Sequence, residues 1–303
     1  LLERLMSKHL IENWFKRLIN ARVSEPNLSL RYVLEDVLLL NLADVNLQNG
    51  NESIKINQEQ AEKIEKLIFR REYHEPIQYI LGQWPFRNLN LKMKSPVFIP
   101  RTETEKLVDI VKSFKNKKNV LEIGVGSGAI SLSLLKETNF NVFAIDKSEQ
   151  AIDLTNENLK YNKLNKEKFK ISQIDICRSF KETYQTINEF LNNTLNNKCD
   201  ILVSNPPYIP YKNLEKLEPQ ILWYESIDAL NGGQDGLDVI KSILDISKYI
   251  LNDQGIIVLE VDHTHPCLFD YLTKQNLHWK LKLIDIQKDC FDRPRFVVLQ
   301  CHL

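Results

Sequence analysis

The sequence predicts an α/β fold: a doubly wound sheet preceded by a small helical bundle. Three observations carry this expectation. Strand-like and helix-like segments alternate from residue 119 to residue 261, the pattern of units whose crossover helices pack against a sheet. A glycine-rich turn, "GVGSG" at residues 124–128, follows the first of those strands and opens a helix. The first 73 residues, by contrast, repeat apolar residues only at helical spacing.

Taken in order, Leu5 to Leu18, Leu30 to Leu42 and Ala61 to Phe69 read as the helices of the bundle. From Gln78 to Pro100, "QYILGQWPFRNLNLKMKSPVFIP", the pattern turns extended with Gly82 and Asn88 as turn points, so a connecting β-hairpin is expected. A short helix, Thr102 to Phe114, follows. Then come "NVLEIG", "AISLSLLKE", "NVFAID", "EQAIDLTNENLKYN", "FKISQID", "CDILVSN", "GLDVIKSILDISKYIL" and "GIIVLEV". Lys181 to Lys198, rich in Asn and Thr, reads as a helix and a surface loop of little importance. The expected domains are a helical unit at 1–75, a hairpin linker at 76–100 and the α/β domain at 101–303.

Composition narrows the function classes. Lys+Arg and Asp+Glu each number 40 in the 303 residues, so the formal net charge is zero and offers no global attraction for nucleic acid. The five cysteines, Cys177, Cys199, Cys267, Cys290 and Cys301, are scattered without a C-x-x-C pair. They read as reduced thiols in an intracellular compartment, and no metal site is expected. His263 and His265 in "VDHTHP" read as residues at a helix start rather than a metal pair. No apolar run approaches the roughly 20 residues of a membrane helix, so a soluble protein is expected. The chain opens on Leu rather than Met, from which a truncated or processed N-terminus is expected.

The chemistry begins at "VLEIGVGSGAISLSLL". Gly124, Gly126 and Gly128 let the backbone approach a ligand where a helix presents free N–H groups. The spacing is G-x-G-x-G, not the G-x-G-x-x-G of dinucleotide folds. Glu122 stands just before the first glycine, and Asp146 closes the next strand, placed to accept both hydroxyls of a ribose. S-adenosylmethionine fits better than NAD, since it carries ribose and adenine but no pyrophosphate. Backbone from Gly124 through Val125, Gly126 and Ser127 to Gly128 is therefore expected to hold it. Asp175, at the end of the third strand, is expected near the adenine edge, with Ile176 as an apolar wall.

The fourth strand ends in "SNPPYIP". Strand C-termini of a doubly wound sheet converge on the ligand crevice, which puts this turn beside the sulfonium. Asn205 offers a carbonyl oxygen to one proton of an NH2 group, and the Pro206 carbonyl can accept the other. Pro206 and Pro207 stiffen the turn, and Tyr208 supplies a flat face for a planar substrate. The site thus suits a conjugated NH2, either an amide or the exocyclic amine of a base. Transfer is expected to be an in-line displacement that rests on positioning, with no nucleophilic residue.

Together "FIPRTETEKLV", "LEIGVGSGAISLSLL", "AIDKSEQAIDLTNENLKYN", "SNPPYIP", "ESIDALNGGQDGLDVI" and "LEVDHTHP" resemble the HemK/PrmC family of peptide chain release factor glutamine methyltransferases. The resemblance runs from about Ile77 to the C-terminus, and the N-terminal unit fits the family's substrate-docking domain. "QYILG", "FIPR" and "DRPRF" look most like its animal mitochondrial branch. The resemblance implies a class I S-adenosylmethionine-dependent methyltransferase fold, Rossmann-like with a seven-stranded sheet. It implies methylation of the side-chain amide nitrogen (N5) of the Gln in a release factor's Gly-Gly-Gln loop, with S-adenosyl-L-homocysteine as the second product. By position, Gly124 to Gly128 and Asp146 hold the donor, Asn205 to Tyr208 hold the Gln amide, and Arg101 and Glu103 order the site. A class I release factor as partner, a mitochondrial location, a monomer and no direct contact with nucleic acid or membrane are further implications. Thr102 stands where the family usually has Pro, Ile176 where an aromatic is common, and "YES" at Tyr224 to Ser226 where F-E-P is common. Two other classes share parts of this pattern: an adenine methyltransferase acting on DNA or RNA, and a binding module that keeps the fold without activity. Base methylation usually needs a basic docking surface, and a scaffold has no need to pin an NH2 group.

Overall fold

The computed structural model describes residues 2–43, 47, 54–177, 180–192 and 197–303. Along the chain these form α1 (Leu2–Asn20), α2 (Pro26–Leu38), α3 (Gln58–Glu72), α4 (Ile77–Leu81), β1 (Gln83–Phe86), β2 (Leu89–Lys92), α5 (Glu105–Ser113), β3 (Asn119–Ile123), α6 (Ala129–Glu137) and β4 (Asn141–Asp146). They continue as α7 (Glu149–Tyr161), β5 (Phe169–Gln173), α8 (Phe180–Phe190), β6 (Cys199–Ser204), α9 (Pro219–Leu222), α10 (Asp238–Ile250), β7 (Leu251–Glu260), α11 (Phe269–Gln275), β8 (Leu281–Lys288) and β9 (Pro294–Cys301). Two compact units result, one from Leu1–Gln83 with Glu218–Tyr224 and one from Trp84–Leu217 with Glu225–Leu303.

In the first unit, Ile11, Trp14, Leu18, Leu30, Val33, Leu34, Ile64 and Ile68 are buried, so the apolar stripes of α1, α2 and α3 close on one another. Helix α3 starts three residues before its first predicted position because Asn57 and Gln60 form a capping box that satisfies two otherwise unpaired N–H groups. Pro26 at the first turn starts α2 earlier than Leu30, and Leu39 in the left-handed region ends it at Leu38. The extended pattern expected from Gln78 is corrected at its start. Residues Ile77–Leu81 are helical, entered from Pro76 and stopped by Gly82 at φ 71°, and the hairpin is the shorter β1–β2 pair. Segment Glu218–Tyr224, which the sequence places with the α/β domain, belongs to the helical unit. There the buried Arg71 donates to Ser29 Oγ (3.0 Å), the Glu75 carbonyl (3.0 Å) and Gln220 Oε1 (2.9 Å). Burial brings its guanidinium down to about 10.

The second unit is built on a seven-stranded sheet of order β5-β4-β3-β6-β7-β9-β8. Strands β5, β4, β3, β6 and β7 are mutually parallel, and β9 pairs antiparallel with both β7 and β8. The parallel strands read as continuous branched runs because both of their faces are covered. Leu121, Ile123, Ile145, Leu202, Ile257, Leu259, Ile243 and Leu244 lie in one buried cluster. That cluster includes Ile187 of α8 and the neighbouring Leu191, each fully buried. Lys181 to Lys198 therefore does structural work that its polar composition hides; its residues 193–196 lie outside the described residues. All five cysteines are free thiols. Among the described residues no helix is long and apolar enough to cross a membrane.

Candidate active site

The chain runs outward from β3 through β4 to β5, then returns to place β6 on the other side of β3. Ligands of open α/β sheets bind outside the strand C-termini at such a reversal. Register puts the candidate residues in one row there. Ile123 pairs with Ile145, Glu122 with Val203, and Ser204 with Leu259. One step further, Asp146, Gly124, Asn205 and Glu260 stand level at the ends of four adjacent strands, each about 4.8 Å from the next. The Ser204 hydroxyl donates to the Ile123 carbonyl at 2.6 Å and ties the ends of β6 and β3 together.

Asp146 sits beneath the glycine-rich turn. Its Oδ2 accepts from the Gly126 N–H at 3.0 Å and its Oδ1 from the Ser148 N–H at 2.9 Å. Burial raises its carboxyl above the usual range, against the pull of these backbone donors. Each oxygen keeps lone-pair capacity for a further donor. Gly124 and Gly126 have φ of 80° and 55°, and a Cβ added at either meets no atom within 4 Å. Glycine is required there by backbone conformation, and the space beside it is open to a ligand. Val125 donates to the Ile145 carbonyl at 3.2 Å, Ser127 accepts from Asn158 at 2.9 Å, and Gly128 is the N-cap of α6. An acid with spare acceptors beside an open glycine backbone fits the ribose of an S-adenosylmethionine-type donor.

Glu122 points away from that opening into the interior. Its Oε2 accepts from both the backbone N–H and the hydroxyl of Ser131, which holds the first turn of α6 against β3. Burial raises its carboxyl to about 8, so near neutral pH it is largely protonated. Asp175 lies two residues beyond the end of β5 rather than on the strand, its Oδ1 accepting from the Cys177 N–H at 2.9 Å. Ile176 is half-buried and packs against the main core.

Asn205 follows β6 directly, and its Nδ2 donates to Thr104 Oγ1 at 3.2 Å. Pro206 is buried, while Pro207 and Tyr208 are half-buried. The turn is held from its far side by residues 230–236. Ile209 N–H donates to the Leu230 carbonyl (3.0 Å), Gly232 N–H to the Ile209 carbonyl (2.9 Å) and Tyr211 N–H to the Gly233 carbonyl (2.8 Å). Gly236, at φ 81°, approaches so closely that an added Cβ would lie 2.4 Å from the Tyr208 carbonyl oxygen. The Tyr208 hydroxyl accepts from Arg295 Nη1 at 3.1 Å, and the guanidinium lies 5.7 Å from the ring centroid. Arg101 donates to Glu225 Oε1 at 2.6 Å, and the Ile99 N–H donates to Glu225 Oε2 at 3.1 Å. The Glu of "YES" thus holds the strand-like approach to Arg101. Glu103 sits in the 3-10 turn Thr102–Thr104, close enough to influence the titration of Glu260. His265 precedes a 3-10 turn, Pro266–Leu268, and among the described residues no group of three or more His, Cys, Asp or Glu is placed to hold a metal ion.

Sequence reasoning missed Thr104, Glu260, Arg295 and the 230–236 clamp. An acid closing a buried apolar run, "IIVLE", is the same signal that marked Asp146 and would have found Glu260. Thr104 carries no such signal.

Two family profiles match the chain: the PrmC N-terminal domain over residues 9–82, and ribosomal protein L11 methyltransferase (PrmA) over residues 104–221. The human MTRF1L release factor glutamine methyltransferase is 38% identical over 253 residues, covering 80% of this chain and 72% of that protein. The release factor glutamine methyltransferase of Thermodesulfovibrio yellowstonii is 34% identical over 261 residues, covering 84% and 86%. Among solved structures, a methyltransferase from Pyrococcus furiosus superposes with a TM-score of 0.50 at 16% identity over 72% of this chain and 91% of that one, a likeness of fold. Relatives of this identity and coverage, with the sheet order and the Asn-Pro-Pro-Tyr turn at its reversal, show that the chain belongs to the family of release factor glutamine methyltransferases.

Proposed function

We propose that this protein methylates the side-chain amide nitrogen (N5) of the glutamine in the Gly-Gly-Gln loop of a class I peptide chain release factor, and that the factor is a mitochondrial one. The observation that carries the reading is the placement of Asn205 level with the open Gly124 backbone, one strand from it, at the reversal of the sheet. The relatives' names supply the substrate class. The mitochondrial assignment is supported by the likeness of the "QYILG", "FIPR" and "DRPRF" motifs to the animal mitochondrial branch.

S-adenosylmethionine, when bound, supplies a methyl group on a positively charged sulfur. Asp146 and the backbone of Gly124 to Gly128 are the groups that would hold it. The amide nitrogen is a weak nucleophile because its lone pair is delocalised into the carbonyl. Asn205 Oδ1 and the Pro206 carbonyl accept its two protons and thereby orient the nitrogen. Oriented acceptors also favour the charge that grows on nitrogen as the N–C bond forms, an electrostatic contribution that needs no acid, base or nucleophile on the protein. One of the two protons leaves to solvent and the N-methyl amide keeps the other. The helical unit, matched by the PrmC N-terminal profile, docks the body of the release factor.

The test is mass spectrometry of a recombinant mitochondrial release factor incubated with this protein and S-adenosylmethionine. One added methyl on the Gly-Gly-Gln glutamine is the expected product. A factor left unmodified by protein that demonstrably binds the donor would overturn the reading, and a methylated adenine in nucleic acid would replace it.

A further inference from the structure

The stretch "DRPRF" at residues 292–296 reaches the Asn-Pro-Pro-Tyr turn through one side chain. Arg295 is the second residue of β9, which lies antiparallel beside β7. The Val261 N–H donates to the Arg295 carbonyl at 2.9 Å, and this pairing brings Arg295 to the end of β7. The guanidinium is held at three points. Its Nη1 donates to the Tyr208 hydroxyl at 3.1 Å and to the Val261 carbonyl at 3.4 Å, and its Nε lies 3.3 Å from Asp289 Oδ2.

Asp289 is itself buried and fixed. Its Oδ1 accepts from the N–H groups of Phe291 (2.8 Å) and Arg293 (3.0 Å), and its own N–H donates to the Arg293 carbonyl at 2.8 Å. One carboxylate oxygen therefore closes the β8–β9 turn while the other faces Arg295. Neither Asp289 Oδ2 nor Arg295 Nε has a hydrogen-bond partner among the described residues, so the ion pair is what offsets the burial of these two atoms. A guanidinium has no acceptor. The Tyr208 oxygen must accept, and the direction of that bond is settled by chemistry. Gly236 already presses on the Tyr208 carbonyl, so Tyr208 is held at its backbone by one segment and at its hydroxyl by another.

We propose that Arg295, anchored by Asp289, is a positioning residue that fixes the Tyr208 ring against which the substrate amide is laid. This deepens the proposed reaction and rests on Tyr208 facing that amide. A tyrosine fixed only at its backbone turns about two side-chain torsions, and a planar amide resting on it loses its line to the methyl group. Misplacement by about 1 Å costs roughly a hundredfold in rate. Lysine does not replace Arg295 here, because one ammonium on a flexible stem lacks the rigid fork that reaches Asp289, Val261 and Tyr208 together.

The experiment compares three single variants with one double. Tyr208→Phe keeps the ring and loses the hydroxyl, Arg295→Lys keeps the charge and loses the fork, and Asp289→Asn keeps an oxygen for the turn and loses the charge. The double variant combines Tyr208→Phe with Arg295→Lys. Turnover on the release factor is measured with saturating donor, and donor affinity by calorimetry. Carbon-13 NMR of labelled tyrosine, without substrate, follows the Cζ signal of Tyr208, assigned by its loss in Tyr208→Phe. Tyr208→Phe is expected to lower kcat by roughly tenfold, with donor affinity, KM for the factor and melting temperature unchanged. Arg295→Lys and Asp289→Asn lower kcat to a similar extent and shift the Tyr208 signal. The double variant is no slower than the slower single one, because both substitutions remove the same bond. Additive losses in the double variant, or a Tyr208 signal unmoved by Arg295→Lys, would overturn the anchor. Where a broken ion pair makes Arg295→Lys or Asp289→Asn melt early, Tyr208→Phe still decides, and unchanged kcat there overturns the proposal. A wild-type protein that methylates no release factor counts against the proposed reaction, whereas the Tyr208 signal still judges the anchor.

Discussion

At the scale of single residues, Asp146 and Asn205 stand one strand either side of Gly124, and substitution should separate the two roles proposed for them. Asn205→Ala is expected to lower kcat by at least roughly a hundredfold, the loss typical for one preorganised polar group at a reacting centre, with donor affinity within about twofold by calorimetry. Asp146→Ala should do the reverse, weakening the donor by roughly tenfold or more, as expected for lost charge-assisted bonds; an unchanged dissociation constant would remove Asp146 from the ribose. Glu122 has a different signature. Its buried carboxyl is raised to about 8, against roughly 4.3 when exposed. Between those values the folded protein keeps a proton that the unfolded chain has released, so stability falls as pH rises through the window. Glu122→Gln should abolish that share of the slope. Its unfolding free energy relative to wild type should climb by up to about 1.4 kcal/mol per pH unit in urea titrations from pH 5 to pH 8, and a flat difference would contradict the assignment. Asp146 and Asn205 were legible as residues because an acid and a polar turn closing apolar runs are local patterns.

At the scale of elements, the functional turn depends on a loop that follows it by some twenty residues. The 230–236 segment clamps Ile209 and Tyr211 through backbone bonds, and Gly236 presses against the Tyr208 carbonyl. A Cβ there is opposed by both φ 81° and a backbone atom at 2.4 Å. Gly236→Ala should therefore displace the Asn-Pro-Pro-Tyr turn, lowering kcat far more than donor affinity and costing roughly 1–3 kcal/mol of stability. Equal kcat with an unshifted melting curve would show that the clamp does not hold the turn. Helices α6, α7 and α10 lie where their apolar spacing puts them. Helix α4 does not, since five residues between Pro76 and Gly82 are too few for helical periodicity to show against the extended pattern that follows. Strands β8 and β9 were counted only through the family resemblance, and their antiparallel return on β7 depends on partners that no local pattern names.

At the scale of the whole molecule, the helical unit and the α/β unit are expected to divide substrate docking from chemistry. Removing residues 1–73 should raise KM for an intact release factor by roughly tenfold or more while leaving donor affinity unchanged; a KM equal to wild type, in protein that still binds the donor, would end the docking role. Segment Glu218–Tyr224 shows how far such a division can depart from the linear order, because Arg71 reaches it across 149 residues. The sequence by itself determined the fold class and singled out the glycine-rich turn and the Asn-Pro-Pro-Tyr turn, because helical and strand periodicity, glycine spacing and X-Pro stiffness are written within a few neighbouring residues. Only the tertiary structure decided what surrounds the Asn-Pro-Pro-Tyr turn. Asn205 and Glu260 come level because the register of β6 and β7 aligns their ends, and Asn205 Nδ2 reaches Thr104 Oγ1 across 101 residues. Those neighbours follow from which strand ends the sheet order sets side by side, a property of the assembled strands rather than of any one stretch of chain.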